Sequence, residues 1–493
     1  MESSVLTLFL FSAQARPDSL CIVDAEGPHT YRDMETAASR MGEGLKKRGA
    51  EYGSRIMAAC DDRAHYLALE LACWMAGAIF VPVEADAAAQ RMSDIYDDAA
   101  PVLYVSDRLP GPEKLRKVTV SYEQLQEDGG EGLKSYADPK GEDTAEILFT
   151  TGTTGRSKGV ELSHRADVAL AENIAEGVGM REGNVELNPM PLSHAMGIRC
   201  CYANYLRGGC SLLVDGVTGV RHIYELMKTY HATGMDLSPT AASVLLKLSK
   251  GKFRDFAEQL DFIHLGTAYL NDEVKENLRE TFPGVRLYNV YGSTESGRSC
   301  YYEFSGPADR RHCIGLPGVH AKFMIADENH NEIRSDENHM GFIACKGDMN
   351  MKGYWKQKGL TETVLQNGYL FTRDEGYIDR DGYVYILGRA DDVINFRGIK
   401  IAPDEIEEAA APFPGIRDCA CIPAPDRMSG QIPVLVIDAE EKDFDKKAFM
   451  HYLRDHIDAD KVPQKVVFFH DIPRSFNGKL QRKKLVQKLA ERK

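Results

Sequence analysis

The chain of 493 residues lacks several features that mark common protein classes. Its eleven cysteines include no C-x-x-C pair, which argues against a zinc site or a disulfide framework and favours small buried apolar residues. The longest apolar stretch, residues 67–83, contains Glu70, Gly77 and Pro82, so it is too interrupted to span a bilayer. No basic residue precedes the apolar run at residues 6–11, and we therefore expect a first packed helix there instead of a secretory signal.

Basic residues are also in deficit. The chain has 60 Lys and Arg against 74 Asp and Glu, which gives a formal net charge of −14 and no global support for binding nucleic acid or an anionic membrane. The hydrophobic fraction of 43% and the charged fraction of 27% are typical of a globular chain with two or three cores. We expect a cytoplasmic protein with no nucleic-acid partner and no integral membrane association.

Helical and strand patterns alternate in the first part of the chain. An apolar face at helical spacing runs over residues 30–49 and ends in a basic turn and a glycine. Strand patterns follow at residues 56–60, 78–81 and 101–105, with a long helix ending near Met75. This alternation predicts βαβ units and a largely parallel sheet.

The most informative segment is FTTGTTGRSKGVE at residues 149–161, which continues an apolar strand pattern. Its glycines let backbone amides approach a ligand, its hydroxyls add donors, and Lys158 adds a positive charge. The spacing differs from the P-loop G-x-x-x-x-G-K-[ST], because Arg156 and Ser157 separate Gly155 from the lysine. The segment therefore predicts a polyphosphate site, disfavours a P-loop NTPase, and leaves a flexible surface loop as the alternative.

This segment resembles the signature loop of the adenylate-forming superfamily, which contains acyl- and aryl-CoA synthetases, adenylation domains of non-ribosomal peptide synthetases, and luciferases. The resemblance implies that the loop holds the β- and γ-phosphates of ATP. The residues assigned to this cradle are Thr150, Thr151, Gly152, Thr153, Thr154, Gly155 and Lys158.

A second motif, YGSTE at residues 291–295, matches the family pattern Y-G-x-T-E without departure. Without the resemblance, it would be interpreted only as a strand and a turn. The resemblance implies an adenine platform at Tyr291, close backbone approach at Gly292, a phosphate contact at Thr294, and Mg²⁺ coordination at Glu295. These side chains have the chemistry for those roles.

A third block, TRDEG at residues 372–376, is similar to the family pattern T-G-D-x-G. The resemblance implies that Asp374 accepts hydrogen bonds from the ribose hydroxyls of ATP. Arg373 stands where glycine is usual, and its side chain could crowd the ribose or reach a phosphate or an acidic neighbour.

The segment PLSHAMG at residues 191–197 resembles the P-L-x-H-x-x-G segment of acyl- and aryl-CoA synthetases. By itself, His194 between apolar neighbours would be a hydrogen-bonded core residue; the resemblance places it catalytically, between the acyl pocket and the pantetheine channel. Relatives that activate amino acids carry an aspartate at the position of Ala195, so we expect an acid without an α-amino group. A tight turn is an equal alternative for Gly266. The residues implied to line the acyl pocket are Ala195, Met196, Ser238, Gly266 and Thr267.

The segment GRADD at residues 388–392 is most simply a solvated turn, but it resembles the family hinge G-R-x-D-D. The resemblance implies an α/β fold, with a large N-terminal domain of βαβ-built sheets (residues 1–388) joined by a hinge to a small, mobile α+β domain (residues 389–493). It assigns Arg389 to the ribose, Asp391 to the pivot and Gly398 to the thiol channel. Lys479, in a G-K-x-x-R context, is implied to be the catalytic lysine.

Together these parts predict an ATP-dependent acid–thiol ligase, which uses Mg²⁺ to form an acyl-AMP and then transfers the acyl group to CoA. Lys479 would offset the repulsion between carboxylate and α-phosphate, where one charge pair at about 4 Å is worth roughly 4 kcal/mol at an effective dielectric constant of about 20. One alternative is a stand-alone adenylation enzyme that loads a carrier protein, and another is an oxygen-dependent, luciferase-like enzyme. A non-catalytic nucleotide-binding protein is disfavoured because Lys479, Glu295 and Asp374 are all present.

Overall fold

The structure, a computed structural model, describes residues 4–61, 63–151, 157–306, 310–390, 392–396, 399–426, 430–457, 461–474 and 480–491. The helices in these ranges are α1 (Val5–Ala15), α2 (Tyr31–Lys47), α3 (Ala64–Ala76), α4 (Ala89–Ala99), α5 (Glu113–Arg116), α6 (Tyr122–Gly129), α7 (His164–Gly177), α8 (Ala195–Leu206), α9 (Val220–Thr229), α10 (Pro239–Ser249), α11 (Asp272–Thr281), α12 (Lys358–Val364), α13 (Pro403–Ala410), α14 (Lys446–His456) and α15 (Arg482–Ala490), with a 3₁₀ helix at Lys252–Phe256.

The strands in the same ranges are β1 (Leu20–Asp24), β2 (Gly27–Thr30), β3 (Arg55–Cys60), β4 (Ile79–Glu84), β5 (Leu103–Val105), β6 (Thr119–Val120), β7 (Thr144–Thr151), β8 (Ser157–Ser163), β9 (Val185–Asn188), β10 (Cys210–Leu213), β11 (Gly234–Leu237), β12 (Phe262–Leu265), β13 (Arg286–Ser293), β14 (Gly297–Glu303), β15 (Cys313–Pro317), β16 (Ala321–Ala326), β17 (Gly341–Gly347), β18 (Gly353–Tyr354), β19 (Leu365–Gln366), β20 (Tyr369–Ile378), β21 (Val384–Arg389), β22 (Ile394–Phe396), β23 (Ile399–Ile401), β24 (Asp418–Asp426), β25 (Gly430–Asp438) and β26 (Lys465–Phe468).

The chain forms two compact units. The first comprises residues 1–309, 314–323 and 345–370, and the second comprises residues 310–313, 324–344 and 371–493. The predicted α/β class with a large N-terminal part and a smaller C-terminal part is confirmed.

A seven-stranded sheet of the first unit has the order β18-β8-β7-β4-β3-β5-β6. Its strands from β7 to β6 pair in parallel, while β8 and β18 add antiparallel partners at one end. Helix α3 packs inside this unit with every residue but one buried, because its sequence is apolar on all sides. The indole of Trp74 on α3 donates to the carbonyl of Ala145, at 3.0 Å, and so fixes the start of β7.

A second run of strands in the first unit, β1-β10-β9-β11-β12-β13, pairs in parallel throughout. Two antiparallel strands, β2 and β14, flank this run. The largely parallel sheets predicted from the sequence are therefore confirmed. The carboxyl ends of β9, β11 and β12 are followed by the segments that the sequence assigns to the acyl pocket.

The predicted helices and turns of the N-terminal part are also confirmed. Helix α2 begins with a reciprocal capping box between Thr30 and Asp33, and α3 ends at Gly77 in a left-handed conformation. Helix α1 is packed, with Phe9 fully buried. All eleven cysteines are free thiols and buried, as expected. In the part of the chain that the structure describes, no helix has the length and apolar character needed to cross a membrane.

The second unit contains a five-stranded sheet, β23-β22-β25-β24 with β26 beside β25. One set of apolar side chains, including Ile406, Leu435 and Phe449, forms one core cluster, and another, including Val436 and Leu485, forms a second. Helix α15 is anchored by Arg482, whose guanidinium contacts the Glu407 carboxylate at 2.6 Å. This is the small α+β fold that the sequence predicts.

Candidate active site

The predicted phosphate loop joins the two strands of a β-hairpin. Strands β7 and β8 pair antiparallel, with Thr150 opposite Lys158. Lys158 is thus the second residue of a strand, whereas a P-loop lysine opens a helix, so the backbone agrees with the spacing that disfavours a P-loop. The cradle residues Gly152, Thr153, Thr154 and Gly155 lie outside the described residues, as does the side chain of Thr151.

The side chain of Lys158 is half-buried and positioned by an aromatic ring. Its Nζ lies 5.4 Å from the ring centroid of Tyr354, which is a cation–π distance. Within the described ranges, this ammonium group makes no hydrogen bond or ion pair. Its charge and its three donors are therefore available to an anion.

The YGSTE motif occupies the tip of a second hairpin. Strands β13 and β14 pair antiparallel, and Ser293 lies opposite Gly297, so Thr294 and Glu295 stand at the turn. A Cβ on Gly292 would lie 1.8 Å from the Gly297 carbonyl oxygen, so only glycine fits there. The half-buried ring of Tyr291 precedes this glycine.

Glu295 is held at one carboxylate oxygen. The hydroxyl of Tyr354 donates to Oε1 at 3.0 Å, and the backbone amide of Met351 donates to the Glu295 carbonyl at 2.8 Å. Oε2 has no hydrogen-bond partner among the described residues. A carboxylate oxygen and the hydroxyl of the preceding residue, Thr294, are the kind of oxygen ligands that Mg²⁺ prefers, so these residues fit the predicted metal.

Two of the predicted acyl-pocket residues, Met196 and Gly266, lie close together at the first turn of α8. His194 is the N-cap residue of this helix and Ala195 is its first residue. A Cβ on Gly266, just after β12, would lie 2.8 Å from Val290 Cγ2 and 3.4 Å from Met196 Cε. Close packing therefore accounts for this glycine, and the tip of Met196 fills the space above it.

Two further pocket positions are constrained by their backbone. The buried hydroxyl of Ser238 accepts from the Ala241 amide at 3.1 Å and caps α10, with Pro239 in the first turn. Thr267 is exposed and has φ +74°, a left-handed conformation that a β-branched residue seldom adopts. Such strain is found at functional sites more often than elsewhere.

A buried charged cluster supports the start of α8. The Arg298 guanidinium donates to the Met196 carbonyl at 3.0 Å and lies 3.2 Å from Asp236 Oδ2. It also contacts His264 Nδ1 at 2.8 Å. Since that nitrogen accepts from Arg298, the proton of His264 lies on Nε2, which is 2.7 Å from Glu186 Oε1.

Burial sets the protonation of this cluster. It lowers the pKa of His264 to about 3, so the ring is neutral. Burial also raises the pKa of Glu186 to about 7, against the opposing effect of Arg298. Glu186, Cys200 and His264 have the spacing of metal ligands, but Arg298 already contacts both Cys200 and His264, and its guanidinium provides the positive charge there.

A second buried cluster lies against the strand that leads to the phosphate loop. The Oε1 atom of Glu146 in β7 lies 3.7 Å from the guanidinium of Arg199 in α8. Besides burial, the charge of Glu146 raises the pKa of two other buried carboxyls, Glu70 and Asp167. Burial raises the pKa of all three carboxyls. The charge of Arg199 opposes this rise at Glu146 and at Asp167, whereas the hydroxyl of Tyr202 opposes it at Glu70.

In the second unit, Asp374 and Arg389 face each other across strands β20 and β21. Arg389 Nε lies 3.5 Å from Asp374 Oδ1, and the side chain of Asp374 is largely buried. The predicted ribose residues are thus a pair in the structure. Arg373, which precedes Asp374 in β20, has φ +65°, which explains why glycine suits this position, and its side chain is exposed.

The residues assigned to domain movement and catalysis, Asp391, Gly398 and Lys479, lie outside the described residues. The chain on either side of residues 475–479 is ordered by an antiparallel bridge between Arg474 and Leu480. Arg474 in turn contacts Asp418 at 2.7 Å.

Three residues of the site were missed by sequence reasoning. Tyr354 left no signal beyond an aromatic residue after a glycine. Asp236 did leave one, because it is a charged residue between the apolar residues Met235 and Leu237 of β11, where an unpaired charge would be costly. Arg298 left no such signal, because β14 also contains Ser299 and Glu303.

Two family models match the chain. The AMP-binding enzyme model covers residues 9–355, and the AMP-binding enzyme C-terminal domain model covers residues 405–479. Among curated proteins, the chain is 27% identical to a probable CoA ligase, CCL5, of Humulus lupulus, over 98% of this chain and 92% of that protein. It is 26% identical to 4-coumarate:CoA ligase 1 of Petunia hybrida, over 95% and 91% of the two chains.

Two solved structures with the same fold align with this chain over almost the whole length of both proteins. ATP-bound MatB from Rhodopseudomonas palustris has a TM-score of 0.86 and 26% identity, with 99% of each chain covered. The o-succinylbenzoate CoA synthetase MenE from Bacillus subtilis, in complex with an acyl-adenylate intermediate, has a TM-score of 0.88 and covers 98% of each chain. At 22% identity, MenE supports the fold alone.

Proposed function

Because this chain belongs to the AMP-binding enzyme family, we propose that it activates a compact carboxylic acid lacking an α-amino group and transfers it to CoA. The reaction class predicted from the sequence, AMP-forming ligation of an acid to CoA with ATP and Mg²⁺, is confirmed by relatives named as CoA ligases and by an ATP-bound structural relative. The identity of the acid and the roles of single residues are the proposal.

One observation carries the assignment of roles. Lys158 from the first motif and Glu295 from the second both contact Tyr354, although the two motifs are far apart in sequence. Each stands on its own hairpin, beside a loop that glycine allows to approach a ligand. An ammonium and a carboxylate held beside one ring suit the phosphates of ATP and their magnesium ion.

In this proposal, Glu295 with Thr294 holds Mg²⁺, which supplies charge neutralisation at the phosphates. Lys158 and the loop of residues 150–155 bind the β- and γ-phosphates and so favour departure of pyrophosphate. Tyr291 stacks on adenine, and Asp374 with Arg389 binds the ribose. Lys479 draws the carboxylate and the α-phosphate together.

The proposed substrate class rests on the charge-paired and closely packed surroundings of the acyl segment. Ala195 offers no counter-charge for an ammonium, and Asp236 is already paired with Arg298. Met196 fills the space above Gly266. We therefore propose an acid without an amino group and without bulk at the Met196 end of the pocket.

Other aspects of the protein remain part of the proposal. His194 borders the thiol channel that leads past Gly398, and residues 389–493 turn about Asp391 between the two half-reactions. A carrier protein is the alternative acceptor to CoA, and cytoplasm is the proposed location, although one curated relative is named as peroxisomal. We expect no nucleic-acid partner.

The test is acid-dependent pyrophosphate release over a panel of fatty, aryl and amino acids, each with and without CoA. We expect a non-amino acid to release pyrophosphate and to yield its CoA thioester. Adenylation that proceeds without any thioester would favour a carrier protein as acceptor. Activity confined to amino acids would contradict the role given to Ala195.

A further inference from the structure

We propose that Tyr354 is a positioning residue that keeps Lys158 and Glu295 apart, so that one remains free for phosphate and the other for Mg²⁺. This inference rests on the proposed function, since it concerns the same nucleotide site. It arises from the placement of one side chain between two opposite charges.

The two charges would otherwise neutralise each other. A lysine and a glutamate brought together from two hairpins would form an ion pair, and each would then be lost to the ligand. The phenol of Tyr354 prevents this at both ends. Its hydroxyl donates to Glu295 Oε1 at 3.0 Å, and its ring face lies 5.4 Å from Lys158 Nζ.

The hydroxyl contact also orients the carboxylate. With Oε1 occupied, Oε2 is the oxygen that has no hydrogen-bond partner among the described residues. Outer partners that orient a ligating carboxylate are known to raise metal affinity. A neutral phenol does this without removing the negative charge that attracts the cation.

Backbone contacts hold Tyr354 in this position. Strand β18 pairs with β8, with Tyr354 opposite Val160, and the amide of the next residue, Trp355, donates to the Gly159 carbonyl at 2.7 Å. On the other side, the Met351 amide donates to the Glu295 carbonyl at 2.8 Å. The short segment of residues 351–355 therefore bonds to both hairpins, and its tyrosine contacts one charged side chain from each of them.

The test is calorimetric binding of ATP at increasing Mg²⁺ concentration, which does not depend on turnover. Tyr354→Phe keeps the spacer and removes the hydroxyl, so we expect the half-saturating Mg²⁺ concentration to rise by about tenfold while binding of ATP without Mg²⁺ is unchanged. Tyr354→Ala removes the spacer as well, so ATP binding without Mg²⁺ should also weaken, because Lys158 can then pair with Glu295.

Tyr369→Phe and Tyr369→Ala are matched controls, because Lys346 lies at the same 5.4 Å from the Tyr369 ring outside the site. A double-mutant cycle supplies the second criterion: Tyr354→Phe should have no further effect in a Glu295→Gln background. Wild-type ATP binding with unchanged Mg²⁺ dependence in both Tyr354 variants would overturn the inference alone. Absence of ATP binding by the wild-type protein would overturn the proposed function.

Discussion

Two side chains of the candidate site, Thr267 and Arg373, stand on backbone that glycine adopts more readily. Their φ angles are +74° and +65°. A non-glycine residue in this region costs on the order of 1 kcal/mol, and the surrounding strands must hold it there. At Arg373, the Ala390 amide donates to the carbonyl at 2.8 Å, which holds the backbone of β20 beside Asp374.

We expect Arg373→Gly to stabilise the protein by about 0.5–1 kcal/mol, because glycine removes the strain but adds freedom to the unfolded chain. The measurement is the unfolding midpoint in urea at an unchanged slope. Asn367→Gly is the control, since asparagine tolerates its φ of +53° and should change little. A loss of stability in Arg373→Gly would show that the arginine side chain contributes more than the strain costs.

The size of the acid should depend on Met196. Met196→Ala frees the space above Gly266, so we expect kcat/KM for a bulkier acid to rise relative to that for the best wild-type acid by about tenfold. Met57→Ala, in the core of the same unit, should lower stability without changing this ratio. Equal ratios in wild type and Met196→Ala would place Met196 outside the pocket.

At the scale of residues, the sequence identified motif members and not their partners. Thr294, Glu295 and Lys158 belong to recognisable motifs, because hydroxyl, carboxylate and ammonium groups suit the proposed ligands, the phosphates and Mg²⁺. Tyr354 lies 59 residues from Glu295, and its role follows only from the pairing of β18 with β8. Local pattern contains no information on such long-range contacts.

At the scale of elements, the site depends on hairpin tips and on buried charges that join strands to α8. Arg298 of β14 reaches Asp236 of β11 and the first turn of α8, while His264 of β12 reaches Glu186 of β9. Four strands and one helix are thereby fixed beside the acyl segment. The stability of this arrangement should depend on pH.

Glu186→Gln tests that dependence. The raised pKa of Glu186, about 7 in the folded protein, stabilises the fold below the unfolded value near 4.5, and this contribution is lost as pH rises through 7. Relative to wild type, Glu186→Gln should therefore gain up to about 3 kcal/mol between pH 4.5 and pH 8. Urea unfolding at several pH values measures the difference.

Asp33→Asn is the control of opposite sign. Hydrogen bonds from Thr30 lower the pKa of Asp33, so wild type loses this contribution only as pH falls below about 4. Its difference from wild type should be constant between pH 5 and pH 8. A constant difference for Glu186→Gln over the same range would contradict the protonation assigned to the buried cluster.

Several elements of the N-terminal part followed from pattern, and others did not. The alternation of apolar periods predicted α2, β3, α3, β4 and β5, because burial of one face imposes those periods. The strand nature of residues 157–163 was not predicted. Gly159 interrupts the pattern there, and its small size is required because a Cβ would lie 2.9 Å from Ile147 Cγ2.

In the whole molecule, two half-reactions, adenylation and thiolysis, are proposed to depend differently on the two parts of the chain, residues 1–388 and 389–493. In this proposal, adenylation requires the large part together with Lys479, while thiolysis requires that Lys479 withdraw to admit a thiol. The resemblance supplied this division, since no local pattern encodes a domain rotation. It makes the two half-reactions separable by mutation.

Lys479→Ala should lower the rate of adenylation by about two to three orders of magnitude and leave thiolysis of a supplied acyl-adenylate within a fewfold of wild type. Pyrophosphate release and thioester formation, measured separately, give the two rates. Lys484→Ala on the exposed face of α15 is the control for a lost basic residue. Equal loss of both half-reactions would contradict the assignment of Lys479 to one of them.

Activation through an acyl-adenylate is tested most directly by following the oxygen atoms of the acid. If the carboxylate attacks the α-phosphorus of ATP, an acid labelled with ¹⁸O at both oxygens must leave one labelled oxygen in AMP and one in the CoA thioester, with none in pyrophosphate. Mass spectrometry of the products distinguishes these outcomes. Labelled AMP is the result that we predict, and unlabelled AMP or label in inorganic phosphate would contradict activation through an acyl-adenylate.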